Sequence, residues 1–372
     1  MVTRTPCERA VVVVTPKTNP ELRDSVLDLM NQMSGTKLMT WKCRDKDQSL
    51  EDLRALLDGY GRAMITIDEI NGKAIKQITA TAKKKGYIPY VLDEAWEEHG
   101  ERIEMPAQFV LMDLDKQREA GPFDIIGDIH GCAIELMELL AKLGHAEADW
   151  EDKSADQWEE AIVAHKDGRK VILLGDLVDR GPENLLTMKI ARKLEQYGGL
   201  RVLGNHDSKI GRWLKGNKVN VGPHQEPTMA EFTHMADEER RSWGDWMLNT
   251  ETQYILDAGK LVVAHAGMDE DNLGRNTDGA KAMALYGKPA EDNALDEEGF
   301  PLAEDWALTY NGDAVVVHGH VVYDQPRNVN DKVIAVDTGC VFGGKLTAYQ
   351  WPERQYVEVN ARKEWWKRRP LK

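Results

Sequence analysis

Five short segments follow one another in fixed order along the chain: Gly127-Asp128-Ile129-His130-Gly131, Gly175-Asp176-Leu177-Val178-Asp179-Arg180-Gly181, Gly204-Asn205-His206-Asp207, His265-Ala266-Gly267 and Gly319-His320. Each sets a carboxylate, amide or imidazole beside a glycine, mostly after a β-branched or apolar run, so each suits a strand end where the backbone turns sharply. That pattern commits the chain to strands delivering polar side chains along one sheet edge. Singly the residues mean little, because a lone Asp after a strand is more often a turn or helix cap and a lone His is usually a satisfied core or surface residue. Five in succession point to a site.

The residue types select the chemistry. Carboxylate oxygen, imidazole nitrogen and amide oxygen suit hard or borderline divalent ions, and two closely spaced ions need a carboxylate to bridge them. Asp176 is the bridging candidate, with Asp128 and His130 on one ion and Asn205, His265 and His320 on the other. Two such ions would lower the pKa of a shared water from about 15.7 toward about 7, giving a nucleophile for phosphorus without a protein nucleophile. His206 is placed to protonate the leaving oxygen, with Asp207 or another acid orienting its ring. Arg180 can fork two donors onto phosphate oxygens, Asn205 is a further candidate contact, and Arg275 is either another phosphate clamp or an ordinary exposed loop residue. His318, two residues from His320, is expected mainly to pack.

The chain has 372 residues, enough for two domains, and 42% apolar residues, enough for a sizeable core. Cys7, Cys43, Cys132 and Cys340 are far apart with no CxxC pair, against a disulfide framework or a thiolate zinc cluster; Cys340 is expected to be a small buried hydrophobe. No membrane span or signal peptide is recognisable, so a soluble cytoplasmic protein is expected. Of the −15 net charge little lies in residues 1–120, which hold 18 Lys and Arg against 20 Asp and Glu, leaving 30 against 43 with the motifs. Such a field disfavours an extended nucleic-acid track, although a small anionic group can enter a metal-lined pocket.

Residues 1–120 alternate strand and helix. Strands are expected at 10–15, 63–67 and 87–92, with helices at 19–33, 50–57, 73–85 and 107–118 before the Gly121-Pro122 break. The turn Thr15-Pro16-Lys17-Thr18-Asn19-Pro20 has no glycine, and its two prolines lack amide donors, so it is not a phosphate loop. Further on, strands at 123–126, 171–174, 201–203, 261–264 and 314–317 each feed one motif, and Ile134, Met137, Leu140 and Leu143 form a helical stripe. A Trp-rich insertion over 209–257, with helices near 229–234 and 238–248, is expected to cap the site. The basic segment 363–372, with Trp365 and Trp366, either docks on its own domain or stacks nucleic-acid bases.

On the first three motifs the chain resembles the calcineurin-like metallophosphoesterases, in the branch holding Ser/Thr protein phosphatases and diadenosine tetraphosphate hydrolases. Gly121-Pro122-Phe123-Asp124-Ile125-Ile126, Ala284-Leu285-Tyr286-Gly287, residues 337–348 and Pro352-Glu353-Arg354 look closer to the phosphatase of bacterial polynucleotide kinase-phosphatase. The resemblance implies an α/β (α+β) fold: a four-layer metallophosphoesterase β-sandwich flanked by helices over 121–358. It also implies a smaller, degenerate P-loop-kinase-like α/β domain over 1–120 without kinase activity, and a tail over 359–372. It carries metal ligation onto Asp128, His130, Asp176, Asn205, His265 and His320, and phosphate contact onto His206 and Arg180. The implied cofactor is a pair of divalent ions, manganese first, with nickel, iron or zinc also possible. The implied reaction is hydrolysis of 2′- or 3′-phosphates or 2′,3′-cyclic phosphates at polynucleotide ends. Alternatives are a diadenosine tetraphosphate or other nucleotide polyphosphate hydrolase, a Ser/Thr phosphoprotein phosphatase and, more distantly, a non-catalytic metal-binding scaffold. The expected partner is accordingly a phosphorylated nucleic-acid end, nucleotide or phosphoprotein, with no membrane; the oligomeric state stays open. Asp207 stands where that family usually has Glu, and Val321-Val322 where it usually has Thr-Pro.

Overall fold

Parallel strands need crossovers of a dozen or more residues, and the N-terminal part of the chain supplies them with helices. A computed structural model describes residues 10–14, 37–43, 46–58, 63–69, 72–84, 88–92, 114–289 and 304–367. Contacts divide the chain into one unit of residues 1–112 with 275–278 and a second of 113–274 with 279–372. The first contains β1 (Ala10–Val14), β2 (Lys37–Trp41), α1 (Lys46–Asp58), β3 (Ala63–Ile67), α2 (Gly72–Lys84) and β4 (Ile88–Leu92). Its sheet runs β2-β3-β1-β4, parallel throughout. Ala74, Ile78 and Ala82 recur at helical spacing on the buried face of α2, and Ile78 joins Val13, Trp41, Leu53 and Ile65 in one core. The helix expected at 19–33 lies outside the described residues.

The remaining elements are β5 (Asp115–Lys116), β6 (Phe123–Ile126), α3 (Ala133–Leu143), β7 (Lys170–Leu173), α4 (Asn184–Gln196), β8 (Leu200–Arg201), α5 (Asn205–Leu214), α6 (Glu226–Phe232) and α7 (Asp237–Leu248). After them come β9 (Gln253–Leu256), β10 (Leu261–Ala264), α8 (Asp278–Tyr286), β11 (Val315–His318), β12 (Arg327–Val329), β13 (Val333–Ala335), β14 (Lys345–Trp351) and β15 (Gln355–Asn360). Two mixed sheets result, ordered β12-β13-β11-β10-β9-β5 and β15-β14-β6-β7-β8.

Side-chain alternation explains why these sheets stack. Phe123, Ile125 and Ile172 from one sheet share a core cluster with Leu261, Val263, Val315 and Val317 from the other. The intervening Ile126, Val171 and Leu173 point the opposite way, into a second cluster with Leu136 and Leu140 of α3 and Met188 and Ala191 of α4. Burying each such aliphatic chain contributes about 1.5–3 kcal/mol. After β10, α8 buries Ala280, Met283 and Ala284, and Ala266 N donates to Ala284 O at 2.6 Å. The chain thus forms a helix-flanked sandwich of two mixed sheets. Among the described residues no helix is long and apolar enough to cross a membrane.

Three local expectations change. The helix expected at 107–118 falls outside the described residues up to 113, and beyond that Asp115–Lys116 is a strand paired parallel with Ile255 and Leu256. This tertiary pairing overrides the local pattern and moves the division between units to before residue 113, ahead of the expected boundary at 120. The strand before the third motif is only Leu200–Arg201. The tail docks as far as it is described: the amides of Trp365 and Trp366 donate to Val341 O at 3.0 and 2.9 Å, and both rings pack on the core.

Candidate metal centre

All five motifs lie where strands of the sandwich end: Asp128 follows β6, Asp176 follows β7, Asn205 opens α5 after β8, His265 follows β10 and His320 follows β11. Ten non-glycine residues among those described have positive φ. Five of them belong to these motifs: His130 (48°), Asp176 (47°), Asp179 (77°), Arg180 (72°) and His320 (67°). Backbone strain concentrated in this way is held by surrounding structure and typifies functional turns. Two motif glycines serve close approach instead. A Cβ on Gly319 would stand 2.0 Å from Asp128 Oδ1, and one on Gly204 would stand 2.2 Å from Asp176 N and Oδ1.

The imidazoles are oriented by carbonyl groups. His130 Nδ1 lies 2.8 Å from Val178 O and His265 Nδ1 lies 2.8 Å from Leu174 O. A carbonyl only accepts, so each Nδ1 carries the proton and each Nε2 presents a lone pair. His265 Nε2 faces Asn205 Oδ1 at 2.9 Å, His320 Nδ1 at 3.1 Å and Asp176 Oδ2 at 3.4 Å. Across the same carboxylate, His130 Nε2 stands 3.6 Å and His206 Nε2 4.0 Å from Asp176 Oδ2. Lone pairs converging on lone pairs repel unless a cation lies among them, so this donor set fits a metal centre. Two groups of potential ligands that each lie within 4.8 Å of one another meet here, His130-Asp176-His206 and Asp176-His265-His320, and Asp176 belongs to both. Asp128 adjoins the second, both of its oxygens accepting from His320 N at 3.0 and 3.2 Å.

Electrostatics agrees. Burial, reinforced by the charges of Asp337 and Asp176, pushes the Asp128 carboxyl well above the usual range, and burial raises Asp176 to about 8. Burial lowers His265 to about 4 and His320 to about 3; with the neighbouring Arg180 charge it also drives His130 and His206 well below the usual imidazole value. Neutral imidazoles and crowded carboxylates are what a cation would bind.

Of the acids that could orient His206, it is Asp179 and not Asp207 that meets the ring. His206 Nδ1 donates to Asp179 Oδ2 at 2.6 Å. Asp179 also accepts from Gln225 Nε2 at 3.0 Å and from Thr228 Oγ1 at 2.7 Å, so the insertion reaches the centre through these two residues. Asp207 instead accepts from Leu177 N at 2.9 Å and Gly204 N at 3.2 Å, a capping role at the start of α5. The Arg180 guanidinium bonds His130 Nε2 and lies over the Phe342 ring, its carbon 5.3 Å from the centroid. The His224 ring stands 5.3 Å from that of His206. His318 is buried, 5.3 Å from the Trp306 ring, and belongs to neither metal-binding group. Arg275 is buried in the segment grouped with the first unit. Asp337, Gln225 and Thr228 sit in no motif that marks a site residue; the only sequence signal is Asp337's place in Asp337-Thr338-Gly339.

A model of the calcineurin-like phosphoesterase family matches residues 121–324. Bis(5′-nucleosyl)-tetraphosphatase PrpE (asymmetrical) of Bacillus subtilis is 39% identical over 242 residues, covering 64% of this chain and 93% of that protein. The protein of the same name from Anoxybacillus flavithermus is 40% identical over 243 residues, with 64% and 93% covered. Among solved structures, one titled as a putative diadenosine tetraphosphatase superposes with a TM-score of 0.44 at 22% identity, over 67% of this chain and 97% of that one. These relatives carry the tetraphosphatase name, not that of a polynucleotide kinase-phosphatase, and the family match begins after the region expected to be kinase-like.

Proposed function

Because the chain belongs to the calcineurin-like phosphoesterase family and is a metallophosphoesterase, we propose that it cleaves a bis(5′-nucleosyl) tetraphosphate asymmetrically at a two-cation centre. Water adds across one P–O–P linkage, and a nucleoside triphosphate and a nucleoside monophosphate leave. The sharing of Asp176 between two donor groups carries the reading, since it is what a pair of ions requires. The tetraphosphate is favoured over a polynucleotide end by the names of the relatives.

In this reading Asp128, His130 and Asp176 would hold one ion, with His206 of the same donor group left to the substrate, and Asp176, Asn205, His265 and His320 would hold the other. When bound, the ions supply Lewis acidity at phosphoryl oxygen and a nucleophilic water at neutral pH. Manganese is the first choice on the family resemblance; the mixed oxygen and imidazole donors suit iron, nickel or zinc as well. Arg180 contacts phosphate oxygens and supports the charge gained in the transition state. His206 gives its Nε2 proton to the departing phosphate, with Asp179 fixing the ring and balancing the imidazolium. Burial and Arg180 keep His206 neutral in the free protein; the several negative charges of a polyphosphate raise its proton affinity as substrate enters.

The test is a panel at equal manganese and fixed ionic strength: diadenosine tetraphosphate, an RNA 3′-phosphate, a 2′,3′-cyclic nucleotide and a phosphopeptide. ATP and AMP from the first, at the highest kcat/KM of the four, is the expected result. Faster hydrolysis of the RNA end would restore the polynucleotide reading, and no hydrolysis of any would favour a scaffold.

A further inference from the structure

Cys132 and Cys340 are far apart in sequence, a spacing that argues against a thiolate cluster, yet the fold brings them together. Cys132 precedes α3, Glu135 lies in the first turn of α3, and Cys340 follows β13. The two sulfurs and a Glu135 carboxylate oxygen lie within 4.8 Å of one another. All three residues are removed from solvent, at 0%, 1% and 0% exposure for Cys132, Cys340 and Glu135.

Glu135 is the independent sign of a ligand. Its Oε1 accepts from Arg362 N at 2.8 Å and Trp365 Nε1 at 3.3 Å, whereas its Oε2 is buried with no hydrogen-bond partner. Glu183, whose charge bears on Cys132, likewise has a buried oxygen without a donor. A buried carboxylate with an unanswered oxygen beside two thiols is costly as an anion and well matched to a soft cation.

The geometry points to a buried site for one thiophilic divalent cation of the zinc and cadmium class, held by Cys132 Sγ, Cys340 Sγ and the Glu135 carboxylate, and distinct from the centre on Asp176. Both thiols ionise on binding, so two protons are released for each cation taken up. The donors from Arg362 and Trp365 fix the carboxylate from behind, as groups outside a metal's ligands commonly do. Occupancy would tie together the first turn of α3, the loop before β14 and the docked tail.

Cadmium is the probe, added to the full chain after chelator treatment under reducing conditions. A thiolate-to-cadmium charge-transfer band is expected to saturate at one equivalent. The band should be retained in Asp176→Asn, lost in Cys132→Ser and in Cys340→Ser, and shifted to at least about tenfold weaker affinity in Glu135→Gln. No band from folded wild type in excess cadmium would overturn the site, as would a band undiminished in Cys340→Ser, which would come from thiols other than this pair. X-ray absorption of Asp176→Asn carrying one equivalent of cadmium decides without either Ser variant. Two sulfur neighbours support the site, and fewer overturn it.

Discussion

Asp179→Asn changes one atom at the contact on which proton donation by His206 depends. In the wild type His206 Nδ1 donates to the Asp179 carboxylate at 2.6 Å, which keeps Nε2 turned to the reaction and offsets an imidazolium charge. The amide retains the oxygen that accepts from Thr228 at 2.7 Å, but its NH2 must face both Gln225 Nε2, a donor at 3.0 Å, and His206 Nδ1. One donor-donor conflict follows, with a stability cost of about 1–3 kcal/mol. The chemical step loses both the charge and the preferred tautomer. If the general acid is worth its usual ~10²–10⁴-fold, kcat falls by that factor, or about 2.7–5.5 kcal/mol of transition-state stabilisation. Steady-state hydrolysis of diadenosine tetraphosphate, with manganese content measured in parallel, is the assay. The expected outcome is a collapse in kcat with KM and metal stoichiometry near wild type, whereas Asp207→Asn lowers the melting temperature first. A kcat within about threefold of wild type in folded, metal-replete Asp179→Asn would refute the role.

Other consequences are direct. Gly319→Ala places a methyl carbon 2.0 Å from Asp128 Oδ1, so it should displace that carboxylate and reduce bound manganese, and normal metal content would contradict the close-approach argument. Arg180→Lys keeps the charge but loses the two-pronged fork, and kcat/KM should drop by roughly tenfold or more, read from initial rates; an unchanged value would remove Arg180 from phosphate binding. His318 is buried with its pKa lowered to about 4, so the unfolded chain takes up that proton first as pH falls below about 6.5. The His318 contribution is therefore intact at neutral pH and declines toward pH 4, by up to about 3 kcal/mol. Urea midpoints measured across this range should fall less steeply in His318→Asn, and parallel slopes would show that His318 does not titrate in this way.

The strands and motifs were legible because they are local signals: a β-branched run, a glycine, a polar side chain. Val171 to Leu173 alternates between two cores as its pattern implies, and four of the six proposed ligands, His130, Asp176, His265 and His320, fall in two groups that share Asp176. What escaped depends on distant chain. Asp179 lies inside a recognised motif, yet only Gln225 and Thr228, brought in by the insertion, turn its carboxylate onto His206. His206 and Asp207 are adjacent in sequence, but at the start of α5 the Asp207 side chain turns back to the Leu177 and Gly204 amides. The two-residue β5 carries too little pattern to outweigh a helical reading, and its identity comes from pairing with β9. Spacing likewise concealed the approach of Cys132 to Cys340.

The claim beneath all of this is that one carboxylate, Asp176, joins two cations. Electron paramagnetic resonance during manganese titration tests it directly. Wild type should take up two ions and develop the signal of an exchange-coupled pair, and Asp176→Asn should lose the coupling and bind at most one ion tightly. A wild-type protein that binds a single manganese, or two with no coupling between them, would contradict it.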